Sequence, residues 1–113
     1  MHELGLTQEL VNIVDAKAAE AGAVRVSSVS LVIGAYSGVE ADAVEFCFSV
    51  VAQGTRAEGA RLEIERVPLT VTCRDCGKTG GNPDNFPACP ECSSMNVQIV
   101  AGKEFTIRSM EVD

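Results

Sequence analysis

A chain of 113 residues is long enough for one compact domain, or for a small domain carrying a smaller satellite. Hydrophobic residues make up 46% and charged residues 22%, ordinary globular usage that excludes intrinsic disorder and collagen-like structure. Nine Lys and Arg against sixteen Asp and Glu give a net charge of -7 and no basic cluster, and aromatics are only 4%, so the surface repels phosphate and lacks stacking platforms: no nucleic acid is expected as a partner.

No apolar run approaches the roughly 20 residues that a membrane span needs, so no membrane partner is expected. The opening Met-His-Glu-Leu-Gly carries acid where a signal peptide wants positive charge. Four of the five Cys lie in tight pairs, which suits a reduced metal site better than a disulfide framework. The expected compartment is the cytoplasm.

Residues 4–21 predict a helix whose apolar face is Leu6, Leu10, Ile13, Val14, Ala18 and Ala21, with Gly22 as its C-terminal cap. Residues 24–33 predict a strand buried on one face, where Val29, Leu31 and Ile33 alternate with Ser28, Ser30 and Val32. Val24 and Val26 sit in the opposite phase, so Ser27-Ser28 marks a bulge or a late strand start. After a loop at Gly34 and Ser37-Gly38, Ser37 to Glu40 fits a capping box opening a second helix that runs to about Gln53. Its apolar face is Val44, Cys47, Phe48 and Val51, which makes Cys47 a buried thiol packing as a small hydrophobe.

Leu62 and Ile64 alternate with Arg61, Glu63 and Glu65 in a second strand. Phe105 and Ile107 begin a third, whose phase shifts after Ser109 to Met110 and Val112. Between these strands, residues 68–102 hold all four Pro and four of the five Cys. Val67, Leu69 and Val71 can pair with Val97 and Ile99 as a ribbon at the base of this insert.

The order predicts an α+β fold: a small mixed three-stranded sheet with two helices on one face, plus an inserted zinc-ribbon-like domain. The strand–helix–strand portion favours a parallel pair, with the last strand antiparallel to the second. The domain boundaries are residues 1–67 together with 103–113, and residues 68–102.

The insert reads Cys73-Arg-Asp-Cys76, twelve residues from Gly77 to Ala88, then Cys89-Pro-Glu-Cys92. Two Cys-x-x-Cys knuckles at this separation can aim four sulfurs at one tetrahedral centre, which suits Zn(II). Gly77 lets backbone N–H groups turn toward sulfur, and the loop from Thr79 to Asn85 has so little to bury that it is expected to fold only with the metal. The competitors are two disulfides and a rubredoxin-like iron site; the compartment disfavours the first and the missing aromatic shell the second. A closed four-sulfur site is structural rather than catalytic.

His2 is the only histidine. The α-amino group of Met1, the backbone N of His2 and its imidazole lie within one chelating arc, closing a five-membered and a six-membered ring. Such nitrogen-rich rings prefer a planar Ni(II) or Cu(II), and Glu3 offers its amide N or its carboxylate. On spacing alone a solvated histidine, with Glu3 placed to suit the helix dipole, is the stronger alternative. With no second histidine, no nucleophile–base pair can be assembled, and no enzyme is expected.

Met1-His2-Glu3 opening the first helix, the loop from Ile33 to Glu40, Phe46-Cys47-Phe48 and the paired knuckles together resemble the HypA/HybF family of hydrogenase nickel-incorporation proteins. The resemblance spans essentially the whole chain. It implies a nickel metallochaperone for maturation of nickel–iron hydrogenase, working with the GTPase HypB and delivering Ni(II) to the hydrogenase large-subunit precursor. It implies that His2 is the principal nickel ligand, and that Glu3 contributes to the nickel site and to partner contact. Glu40 then matches a position where the family carries a carboxylate close to the N-terminus, although the capping box competes for it and is favoured here. Cys73, Cys76, Cys89 and Cys92 match the family's zinc ligands. Some members carry His beside the Cys pairs, where this chain has Gly77 and Ser93, so a zinc site that changes ligands with pH is not expected. The rival to nickel handling is a zinc-ribbon adaptor that binds only proteins; a homodimer, the hydrogenase served and any urease role are left open.

Overall fold

The computed structural model describes residues 2–113. Helix α1 spans His2–Glu20 and ends as expected at Gly22, whose φ of 72° is left-handed. Ala23 N–H donates to Ala18 O and Gly22 N–H to Ala19 O, the paired bonds that satisfy carbonyls at a glycine-terminated helix end. The buried stripe of α1 is Glu3, Thr7, Leu10, Val11, Val14 and Ala18. This stripe is rotated from the predicted one: Ile13 is half exposed and Ala21 exposed, while Thr7 is buried. Thr7 tolerates burial because its hydroxyl donates to Glu3 O at 2.6 Å, leaving no unmet polar group.

Strand β1 is Val26–Gly34, helix α2 Ala41–Val51, and strand β2 Arg61–Val67. The two helices pack on one another, and α2 buries Val44, Cys47 and Phe48 as expected. The capping box does not form: the N-cap of α2 is Glu40, with no side-chain cap bond, so α2 starts later than Ser37 predicts. β1 departs from one-sided burial, since Ser28 and Val32 are buried along with Val29, Leu31 and Ile33. The continuous run Leu31-Val32-Ile33 is what a strand covered on both faces looks like. Ser28 finds its partner in Glu111 Oε1 at 3.2 Å.

The first sheet has the order β2-β1-β6, with β6 spanning Phe105–Val112. Ala35 N–H donates to Val67 O, bringing the C-terminal ends of β1 and β2 together, as in the predicted parallel pair. Against β6, Arg25 O meets Asp113 N, Ser27 Oγ meets Glu111 O and Gly34 N meets Glu104 O; one chain rises as the other falls, so this pair is antiparallel. The hydrogen-bonded neighbour of the last strand is therefore β1, the most buried strand, and not the second strand.

The chain divides into two compact units, residues 1–31, 39–65 and 106–113, and residues 32–38 with 66–105. The second unit contains a sheet of order β4-β3-β5, built from Thr70–Cys73 (β3), Thr79–Gly80 (β4) and Val97–Ala101 (β5). The predicted ribbon is its centre: β3 and β5 run antiparallel with Val71 opposite Ile99 and Cys73 opposite Val97. Leu69 and Val71 are its buried apolar side chains. The loop after β4 carries more order of its own than the sequence suggests. Asn82 Oδ1 accepts from Asp84 N and Phe86 N, its Nδ2 donates to Phe86 O, and Asn85 Oδ1 accepts from Leu69 N. Those amide side chains supply by hydrogen bonding what the loop lacks in apolar surface.

Candidate metal centre

The two knuckles are built alike. Cys73 Sγ accepts from the N–H groups of Asp75 and Cys76, and Cys89 Sγ from those of Glu91 and Cys92. Cys73 N–H donates to Lys78 O and Cys89 N–H to Ser94 O, both at 2.8 Å; Gly77 N–H and Ser93 N–H return to the Cys73 and Cys89 carbonyls. Each knuckle thus closes on itself and turns its amides toward sulfur. Four sulfur atoms converge, all within 4.8 Å of one another. Cys73 and Cys92 lie 3.7 Å apart and Cys76 and Cys89 3.5 Å. A tetrahedron with bonds of about 2.3 Å has edges of about 3.8 Å, so the cluster fits a zinc-sized ion.

Electrostatics point the same way. The Cys76 N–H, opposed by burial and helped by the Asp75 N–H, draws the Cys73 thiol down to about 7. The Ser94 N–H acts downward on Cys92 as well, but the Cys73 sulfur, burial and the other two thiols together push it up to about 12. The Cys92 N–H likewise draws the Cys89 thiol down, whereas the Cys76 thiol, despite the Lys78 N–H, is raised by burial and by the Cys89 and Cys73 sulfurs, so each knuckle pairs a sulfur that ionises readily with one that resists it. A divalent cation at the centre removes that resistance. Four sulfurs would complete the coordination of a tetrahedral ion and leave no open position for a substrate.

At the chain's start, Met1 lies outside the described residues, and with it the α-amino group assigned to nickel. His2 opens α1, with its Nε2 3.4 Å from Glu3 Oε2. The same oxygen accepts the backbone N–H of Glu40 at 3.3 Å. Glu3 is held below the ordinary carboxylate range, first by its own backbone N–H, then by that of Glu40, with His2 adding attraction. His2, Glu3 and Glu40 are thereby brought to one junction, Glu40 through its backbone, while the Glu40 side chain is exposed. Among the described residues, the four cysteines are the one group of three or more His, Cys, Asp or Glu whose ligand atoms converge.

The profile of the family described as "Hydrogenase/urease nickel incorporation, metallochaperone, hypA" matches residues 1–112. The chain belongs to this HypA family. A Dehalococcoides mccartyi protein called hydrogenase maturation factor HypA is 49% identical over 113 residues, covering 100% of this chain and 95% of that one. One of the same name from Rhizobium leguminosarum bv. viciae is 46% identical over 112 residues, with 99% of each chain covered. The solution structure of the Ni metallochaperone HypA from Helicobacter pylori shares the fold, with a TM-score of 0.68 at 23% identity over 97% of this chain and 96% of that one. The HypA family is thus one of nickel-incorporation metallochaperones in hydrogenase maturation, and this member has a four-cysteine metal site. No helix among the described residues is long and apolar enough to cross a membrane.

Sequence reasoning overlooked Asp75. Its Oδ2 accepts from Ser94 Oγ at 2.5 Å and its Oδ1 from Asn96 Nδ2 at 3.1 Å, tying the first knuckle to the chain leaving the second. Both donors hold its carboxyl below the ordinary range, the Ser94 hydroxyl more than Asn96. An Asp between two ligating cysteines looks like a solvated loop residue; only the approach of the knuckles reveals its partners.

Proposed function

We propose that this HypA chain carries Ni(II) as cargo, taken up at its N-terminus, and that its four cysteines hold Zn(II) as a structural ion. The nickel ligands are the Met1 α-amino group, the backbone N of His2 and the His2 imidazole, with Glu3 and Glu40 beside them. The observation that carries this is that α1 begins at His2. There Glu3 Oε2 stands 3.4 Å from His2 Nε2 and accepts the Glu40 N–H at 3.3 Å, so the residues proposed to hold or flank the metal meet at one junction.

The chemistry of such a site suits transport. A planar nitrogen-rich set at a chain end leaves the metal open from two sides, so an incoming ligand can displace it stepwise. Affinity falls with acid, because imidazole and amine must both lose protons to bind. The recipient is the hydrogenase large-subunit precursor, reached with the GTPase HypB in the cytoplasm. Residues 1–67 with 103–113 form the nickel-handling domain and residues 68–102 the zinc domain, where zinc supplies a fixed cross-link in place of a hydrophobic core.

A nickel titration of the zinc-loaded protein beside its His2→Ala variant, with elemental analysis, tests this. The wild type should take up about one planar, diamagnetic Ni(II), and the variant should lose it while keeping zinc. Equal nickel binding by both overturns the N-terminal site and leaves a zinc-ribbon adaptor.

A further inference from the structure

Glu3 is unusual for an acid in the first turn of a helix: only 7% of it is exposed. A carboxylate placed there for the helix dipole alone can point into water. This one turns inward, onto the Glu40 N–H and to within ion-pair distance of the His2 ring. Oε2 accepts the Glu40 N–H at 3.3 Å and stands 3.4 Å from His2 Nε2. One oxygen therefore links the imidazole of residue 2 to the N-cap of α2, thirty-seven positions further along the chain.

The nitrogen that Glu3 meets matters. In the chelate formed by the chain's first residues, Nδ1 is the ring atom that closes the six-membered ring with the His2 amide; Nε2 lies on the far side of the imidazole. A carboxylate at Nε2 keeps the proton there and the lone pair on Nδ1, the same arrangement by which acids behind ligating histidines fix tautomer and ring orientation. If the carboxylate swung over to the metal instead, the Glu40 N–H would lose its acceptor and Nε2 its orienting group.

We propose that Glu3 is a positioning residue for nickel, acting through His2 Nε2 and the Glu40 N–H, and that its carboxylate is not a ligand. This rests on the N-terminal nickel site proposed above. Glu3 holds the His2 ring in its binding orientation before metal arrives, and keeps Glu40 beside it, so less motion is lost on binding.

The test uses the full-length, zinc-loaded protein and Ni(II), with Glu3→Ala, Glu3→Gln and His2→Ala variants. Affinity is read by calorimetry, the donor set by X-ray absorption and the visible spectrum, and the His2 tautomer by long-range proton–nitrogen NMR of the metal-free protein. Glu3→Ala should weaken nickel by about 10–100-fold, the usual effect of losing an acid behind a ligating histidine. Its bound nickel should keep the wild-type spectrum, while the metal-free protein loses its preference for a proton on Nε2. Glu3→Gln retains a carbonyl oxygen for both donors and should recover most of the affinity with the same donor set.

Wild-type affinity in Glu3→Ala overturns the proposal, and so does loss of an oxygen donor from the nickel spectrum in either variant, which would make Glu3 a ligand. If Glu3→Ala loses helix content, Glu3→Gln decides alone: near-wild-type affinity and spectrum support positioning, and loss as complete as in His2→Ala refutes it. Nickel retained by His2→Ala sinks the underlying site together with this role. Nickel lost there but untouched in Glu3→Ala sinks this role only.

Discussion

Ser93 occupies in the second knuckle the position that Gly77 occupies in the first, and both adopt left-handed backbone, with φ of 65° and 78°. Each sends its N–H back to the carbonyl of the first cysteine of its knuckle. Glycine enters that region freely, whereas a residue with a Cβ is strained there by about 1–2 kcal/mol. A Cβ on Gly77 would touch nothing within 4 Å, so conformation alone sets the cost. Gly77→Ala should therefore destabilise the cysteine unit by about 1 kcal/mol, and Ser93→Gly should leave it unchanged or slightly steadier, since relief of strain is partly offset by glycine's freedom in the unfolded chain. Thermal melts of the zinc-loaded variants check this; the opposite ranking would mean that the turn does not govern stability.

Gly34 and Gly102 make a closer demand. A Cβ on Gly34 would lie 2.1 Å from Gly102 O, and one on Gly102 would lie 2.7 Å from Leu69 Cα. The Gly102 carbonyl is engaged by Tyr36 N–H at 2.7 Å. Backbone cannot rotate aside as a side chain can, so Gly34→Ala should cost at least the roughly 1–3 kcal/mol of an overpacked core. Urea unfolding would show it as a lowered midpoint at unchanged slope. A wild-type midpoint would mean that the backbone at Gly102 can give way.

Much of this was legible because the signals were local. Paired Cys-x-x-Cys spacing announced the sulfur cluster, Gly22 the end of α1, and the Val71 and Ile99 phases the pairing of β3 with β5. What could not be read was set by distant partners. Thr7 looked polar until its hydroxyl found the Glu3 carbonyl, which let the stripe of α1 rotate onto Val11 and away from Ile13. The Ser37–Glu40 box obeys a local rule, yet Glu40 is itself the N-cap, and its N–H is met by Glu3 across the fold rather than by its own neighbours. Asp75, Asn82 and Asn85 belong to the same class: short polar side chains whose partners only the closed loop supplies.

Asp15 gives a pH prediction. Its Oδ1 accepts the Arg56 backbone N–H at 2.9 Å and meets the Arg56 guanidinium Nη1 at 3.1 Å, joining α1 to the turn after α2. The backbone bond first, and the guanidinium after it, hold the carboxyl below its ordinary value of 3.8. A carboxyl whose pKa is depressed by folding stabilises the fold at pH values above its unfolded pKa, and that stability is lost as the pH falls through the depressed one. The urea midpoint of the wild type should thus decline as the pH is lowered below about 4. Asp15→Asn should start lower at neutral pH and decline less steeply. Parallel pH curves would show that Asp15 is uncoupled from folding.

Cys47 and the cluster should separate by reactivity. Cys47 is buried on α2 at 4% exposure, whereas Cys76 and Cys92 are exposed at the sulfur cluster. Reaction with an electrophile needs both access and thiolate. With metal bound, all five cysteines should resist a maleimide reagent, four through coordination and Cys47 through burial. A strong chelator should open the four cluster cysteines to labelling, because the unit that holds them is cross-linked by the metal. Cys47 should stay unlabelled until denaturant unfolds the helix packing, so mass spectrometry should record four additions after chelation and the fifth only on unfolding. Labelling of Cys47 at the chelation step would mean that losing the metal also loosens the contact between α1 and α2. Labelling of none would mean that the sulfurs are held by something other than a metal.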